Sequence, residues 1–303
     1  MSQTPTFAPL TSRALISVAG PDWRGFLQGL ITQDVETLAP RQAPFGALLT
    51  PQGRLLYDLF LVGRDEGCWL DVSAEHRAAV LQRLMMYRLR AKVELAADET
   101  PVSAVFEPLR LAGRGAGAGP EPASQARTPA LPNLFPHGRE DYARDPRIGT
   151  LGWRGYGAAA PAGAVVSEEA AYDVHRLALG VPGPADWGSD KTYPIEANFD
   201  LLNGIDFKKG CFVGQETTSR MKRRGQVKSR MLPIAFEGPA PAPGAEVMAA
   251  SLRAGAVTSS GDGRAIALLR LDRVEGQALT VDGRPVTVER PAWFLKALAV
   301  ETA

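Results

Sequence analysis

The chemistry-bearing residues of this chain gather at Lys208-Lys209-Gly210-Cys211-Phe212-Val213-Gly214-Gln215-Glu216. A cation beside a thiol favours the thiolate, the form of cysteine that attacks as a nucleophile or ligates a metal. Cys211 follows Lys209 by two positions, so the spacing predicts a reactive thiol tuned by Lys209 and Lys208. Gly210 and Gly214 let the backbone turn tightly or pass close to a ligand. Gln215 and Glu216 read as the start of a helix, whose amides near Cys211 would favour the anion further. From Lys208 to Arg230, eight Lys or Arg face the single acid Glu216, a local charge of +7 in a chain of net charge +1. That excess predicts an anionic partner close to the thiol. No aromatic side chain interleaves with Arg220, Lys222, Arg223 and Arg224, so base stacking has no platform and nucleic acid is not an expected partner.

The elements that must position this segment are mixed. Arg13–Val18 reads as a strand, and Gly20-Pro21-Asp22 opens a helix with Asp22 as its N-cap and Phe26, Leu27, Leu30 and Ile31 on its apolar face. Gly46–Thr50 and Leu55–Val62 read as strands joined by the turn Pro51-Gln52-Gly53, with a further strand at Trp69–Val72. Ser73 is placed to cap a helix reaching Leu89, with Val80, Leu81, Leu84 and Met85 on its buried side. Strands follow at Lys92–Ala96 and Val102–Phe106. Residues 112–137 are rich in Gly, Pro, Ala and Ser and read as a long surface loop. A helix from Ser167 to Gly180 precedes the cysteine segment. Five short strands between Met231 and Glu289, punctuated by Gly261-Asp262-Gly263 and Asp282-Gly283, predict a small closed β-barrel.

Composition narrows the possibilities. At 303 residues the chain exceeds one typical core, and two or three domains are expected. Hydrophobic residues at 45% and charged residues at 22% are ordinary for a soluble globular protein, and the apolar runs are too short for a membrane span. Met1–Leu10 shows neither a secretory signal nor an Arg-rich transit pattern, which predicts a cytoplasmic protein. Of the two cysteines, Cys68 lies in an apolar, strand-like run and reads as a small buried hydrophobe, so no disulfide is expected. With His76, His137 and His175 scattered and no Cys-x-x-Cys pair, no tightly held metal is expected. His175 reads as an interior or interface histidine.

Lys209 to Glu216 resembles the signature of the folate-binding YgfZ proteins, relatives of the glycine-cleavage T-protein (an aminomethyltransferase) whose mitochondrial counterparts assist iron–sulfur cluster assembly. Further stretches share the resemblance: Phe26-Leu27-Gln28-Gly29 with Thr32-Gln33-Asp34-Val35, Leu48 to Asp58, Tyr87-Arg88-Leu89-Arg90, Asp145 to Arg154, and Tyr193 to Asn198. It implies an α+β fold, a three-domain T-protein-like ring around a central cavity with a C-terminal β-barrel. The implied domains are 1–45 with 145–222, an inserted domain at 46–144, and a barrel at 223–303. It also implies tetrahydrofolate binding. Asp58, Glu196, Tyr87, Arg90, Gln215 and Arg223 are the candidate folate contacts, and Cys211, Lys209 and Asp58 the candidate catalytic groups. The T-protein's Arg-Leu-Glu-Ala-Gly helix reads here as Arg176-Leu177-Ala178-Leu179-Gly180, so Ala178 stands where a pterin-binding glutamate is found. The expectation is therefore a folate-binding accessory protein for assembly or repair of iron–sulfur clusters, with client or scaffold proteins as partners. A tetrahydrofolate-dependent aminomethyl or one-carbon transferase is the alternative. The basic run after the cysteine is either a solvated face or a surface for an acidic protein, a folate tail or RNA.

Overall fold

Arg13 interrupts an otherwise apolar strand, and the sheet it belongs to holds most of the residues of interest. The computed structural model of the chain describes residues 4–109, 141–225 and 227–301, so the stretch at 112–137 lies outside the described residues. The first sheet contains β2 (Arg13–Ala19), β3 (Phe45–Leu49), β4 (Leu55–Arg64), β5 (Gly67–Ser73) and β6 (Glu94–Asp98), in the order β3-β4-β5-β2-β6. Its pairings are all antiparallel. Leu59 and Leu61 of β4 join the core under α1 (Trp23–Gln28) and α2 (Arg77–Arg88), with Trp23, Leu27, Val80 and Leu84. Phe60, between them, belongs to a different core on the opposite face. Burial on both faces explains why residues 55–62 read as a hydrophobic run broken by Asp58.

A second sheet, in the order β10-β1-β7-β9-β8, joins β1 (Thr6–Pro9), β7 (Val102–Phe106), β8 (Tyr142–Arg144), β9 (Trp153–Tyr156) and β10 (Val165–Val166). The helix α3 (Glu169–Ala178) packs on it through Tyr172, whose ring lies 5.6 Å from Phe106. After α4 (Pro184–Trp187) and a run of turns, α5 (Gln215–Arg224) leads into the barrel. The barrel closes through β11 (Ser229–Phe236), β14 (Arg264–Arg270), β13 (Leu252–Gly261), β12 (Glu246–Ala249), β15 (Leu279–Val281) and β16 (Arg284–Val288), the last pairing back to β11. Leu232, Ile234 and Phe236 fill its interior with period two, while Met231 turns outward onto Phe199 and Phe212.

Several boundaries differ from those expected. The division at 45/46 falls inside β3, and β2 and β4 on either side of it share one sheet, because both bury their apolar faces in the core under α1 and α2. The division at 222/223 falls inside α5. Asp22 does precede α1, but its carboxylate accepts the backbone N–H of Lys92 at 2.8 Å instead of capping the helix. Likewise Ser73 makes no side-chain cap, and α2 begins only at Arg77 after a single tight turn. Met85, expected to be buried, is exposed, as α2 sinks only Val80 and Leu84 fully. The strand β15 and the helices α6 (Leu271–Val274) and α7 (Ala292–Glu301) were not anticipated.

Candidate functional site

The cysteine loop is fixed on both shoulders by segments far away in sequence. On its N-terminal side, Thr32 donates its hydroxyl to the carbonyl of Gly204 at 2.6 Å and accepts the amide of Ala47 at 2.8 Å. The amide of Asp206 donates to the Thr32 carbonyl at 2.9 Å, and that of Val213 to Gly29 at 3.1 Å. On its C-terminal side, Gly214 caps α5 with φ +82°, and the turn at Gly53 lies directly against it. A Cβ on Gly214 would sit 2.5 Å from the Thr50 carbonyl oxygen and 3.0 Å from the Gly53 Cα, so only glycine permits this approach. Residues 192–198 are drawn in as well. The Leu55 amide donates to Thr192 at 2.8 Å, and the Arg54 guanidinium stacks 5.0 Å from the Tyr193 ring centroid. The motifs around residues 26–35, 48–58, 193–198 and 209–216 are thus brought together.

Between these anchors Cys211 is exposed, whereas Cys68 is buried and its thiol is pushed up to about 12 by burial. Lys209 has a different role from the one the spacing suggested. Its Nζ donates to the carbonyls of Gln28 at 2.8 Å, Ile31 at 2.7 Å and Gln33 at 2.7 Å. An ammonium has three N–H groups, and these three acceptors use all of them. Burial lowers its pKa to about 8, but the protonated form is the one that satisfies the whole cage. Lys209 is therefore a clamp that ties the loop to the segment after α1, and its N–H groups point to that segment instead of to the thiol. Lys208 is exposed.

Gln215 and Arg223, both expected at a ligand, do meet. Together with Phe207, Glu216, Ser219 and Lys222 they line a groove of about 520 Å³. Phe207 and Gln215 stand at the two ends of the loop that carries Cys211, so the thiol belongs to the segment strung between the groove's walls. Phe207 is 37% exposed, and the Lys222 ammonium lies 5.3 Å from its ring centroid. The side-chain oxygen of Gln215 accepts the Phe212 amide at 3.4 Å.

Asp58 sits in another environment. Its carboxylate accepts from Arg13 at 2.8 Å, and Arg13 also donates to Asp71 at 2.7 Å. Arg154, from the second sheet, reaches the other oxygen of Asp71 at 2.5 Å, and Arg147 pairs with Asp145 at 2.7 Å. Burial opposes the charge on Asp71, but Arg13 and Arg154 outweigh it and hold its carboxyl below the usual range. All three guanidiniums surround the face of Phe60, Arg154 at 4.0 Å. Arg13 and Asp58, each a charge within an apolar strand, were the signals in the sequence, but neither names its partner. Glu196 is half-buried and accepts the amide of Tyr193 at 3.0 Å, and burial raises its pKa. Tyr87 and Arg90 lie exposed at the end of α2, with Tyr87 5.6 Å from the Arg83 guanidinium. His175 is interior, as expected, and stacks on Phe106 at 4.7 Å; its Nε2 bonds the Thr150 carbonyl, while Nδ1 has no partner among the described residues.

Residues 228–296 match the C-terminal β-barrel domain of CAF17. The human mitochondrial iron–sulfur cluster assembly factor IBA57 is 32% identical over 290 residues, a match covering 88% of this chain and 78% of the human protein. The chain belongs to the IBA57 family. The mouse IBA57 is 30% identical over 292 residues with the same coverage. The Neurospora crassa IBA57 homolog is 33% identical over 247 residues, and there the match spans 77% of this chain but only 54% of the relative. These IBA57 relatives are named as mitochondrial, in contrast to the cytoplasmic location expected from the N-terminus; no helix among the described residues is long and apolar enough to cross a membrane. In three dimensions the IBA57-family chain is similar to the glycine cleavage system aminomethyltransferase T of Bartonella henselae, with a TM-score of 0.71 over 96% of this chain and 87% of that one. At 19% identity this shows the fold: an aminomethyltransferase-like α+β architecture ending in a six-stranded barrel.

Proposed function

We propose that this protein assists the assembly or repair of iron–sulfur clusters in client enzymes, and that Cys211 is the group through which it acts. The observation that carries the reading is an exposed thiol on a loop immobilised at both ends by Lys209, Thr32, Gly53 and Gly214. A fixed, accessible sulfur is what transient ligation of a cluster or thiol exchange needs, and a packed structural cysteine needs neither property. The relatives' names support the class of work; the thiol's place in the loop supports the residue. The alternative of aminomethyl transfer has less support, since Ala178 is buried and Asp58 is committed to Arg13.

The proposal includes the tetrahydrofolate that the resemblance implies. The expected contacts do not form one convergent set: Gln215 and Arg223 line the groove, Asp58 is paired with Arg13, Glu196 is bonded to its own turn, and Tyr87 and Arg90 end α2. Saturable quenching of tryptophan fluorescence by tetrahydrofolate is the expected result, and a flat titration removes this part. The thiol part is tested with purified Cys211→Ala. It should fold with unchanged thermal midpoint yet fail to raise the rate at which an apo iron–sulfur enzyme recovers activity from a cluster-loaded scaffold; a rate equal to that of the unaltered protein overturns it.

A further inference from the structure

The basic run after the cysteine is not uniform. Arg230 is consumed internally, pairing with Asp200 at 2.8 Å, and Lys209 fills its carbonyl cage. Lys208, Arg220, Arg223 and Lys228 are exposed and make no ion pair among the described residues. Other exposed or half-exposed arginines, among them Arg77, Arg253, Arg270 and Arg290, do meet a carboxylate of the chain. The helix α5 leans on the protein through Thr218 and Met221, so Arg220 and Arg223, three residues apart, project together on its outer side. Two like charges at that spacing disfavour the helix by themselves. Glu216, one turn ahead of Arg220, forms no ion pair with it. No contact ion pair among the described residues neutralises either guanidinium. The groove beside them adds an exposed aromatic wall at Phe207 to the cationic wall at Arg223. Arginine is among the residue types enriched at binding hot spots.

We propose that the outer face of α5 and its groove dock an acidic segment of the iron–sulfur partner protein, an apolar side chain of that segment resting on Phe207 and its carboxylates on Arg220 and Arg223. The inference rests on the assembly-factor reading and names the chemistry of its partner. Docking there delivers the partner to the loop whose two ends are Phe207 and Gln215, and so to Cys211. The cationic face suits any anion, and an acidic protein segment is favoured over RNA because Phe207 alone provides no series of stacking rings.

The test uses the full chain and a fluorescein-labelled peptide of alternating Glu and Leu residues, followed by fluorescence anisotropy. Binding should saturate, and it should weaken steeply between about 50 mM and about 300 mM salt as the charges are screened. The double variant Arg220→Glu with Arg223→Glu should weaken it by about tenfold or more, equivalent to losing about 1.4 kcal/mol. Lys296→Glu, on the exposed side of α7, should leave it unchanged. Absence of saturable binding, indifference to the double reversal, or tighter binding of an oligouridylate of equal length each overturns the proposal. Cys211→Ser separates the two readings: peptide bound without the thiol supports the dock whatever the thiol does, and a dock that fails while cluster delivery still needs Cys211 leaves the thiol reading standing.

Discussion

Cys211 and Lys209 show how far residue types at a given spacing can be read. The shaped loop around Cys211 was legible from the glycines on both sides of it, and the structure exposes the thiol there. The direction of the Lys209 side chain was not, since its three acceptors are backbone carbonyls of Gln28, Ile31 and Gln33, which carry no side-chain signature. Lys209→Met keeps the length and apolar stem but strands three half-buried carbonyls, which costs about 1–3 kcal/mol. Urea unfolding should show that loss, and limited proteolysis should begin to cut between residues 206 and 214. A Lys209→Met protein as stable and protease-resistant as the original would show that the clamp holds nothing. Asp58 is the converse case: a carboxylate set aside for a ligand proved to be one member of an ion cluster, as Arg13 is 45 residues away in sequence.

At the scale of elements, the strands of the first sheet and most of the barrel followed from alternation and from Gly and Asp turns, and α5 begins at Gln215 as read. By contrast, β1, β8, β9 and β10 were not foreseen, and neither Asp22 nor Ser73 caps its helix with its side chain. Gly214 is the joint between α5 and the turn after β3. Gly214→Ala combines a positive φ with a Cβ 2.5 Å from a carbonyl oxygen, and should cost about 2–4 kcal/mol while moving the cysteine loop. Differential scanning calorimetry reads the first effect and the alkylation rate of Cys211 the second; no change in either contradicts the packing. In α3, burial lowers the pKa of His175 to about 4 from 6.5. The folded state therefore favours the neutral ring, and the unfolded chain binds more protons between pH 6.5 and 4. Stability is full above pH 6.5 and falls as the pH drops through that window, by about 3 kcal/mol in all. Urea midpoints at successive pH values should lose this component in His175→Gln; an identical slope in both proteins contradicts the assignment.

Across the whole molecule, the two five-stranded sheets are joined by charge as well as by apolar packing. Arg154 of β9 reaches Asp71 of β5, with Arg13 and Asp145 alongside. Arg154→Met leaves Asp71 short of a partner inside the protein and should cost about 3–5 kcal/mol, read as a lowered thermal midpoint. An unchanged midpoint would mean that apolar packing alone joins the sheets. The resemblance conveyed the whole architecture, but its domain limits cut through β3 and α5, since strands pair by burial and not by order in the chain. The function assigned to this architecture turns on one sulfur. In cells lacking the protein, a copy with Cys68→Ala should restore the activity of iron–sulfur enzymes, and a copy with Cys211→Ala, present at the same level, should not. Full restoration by Cys211→Ala would contradict the account.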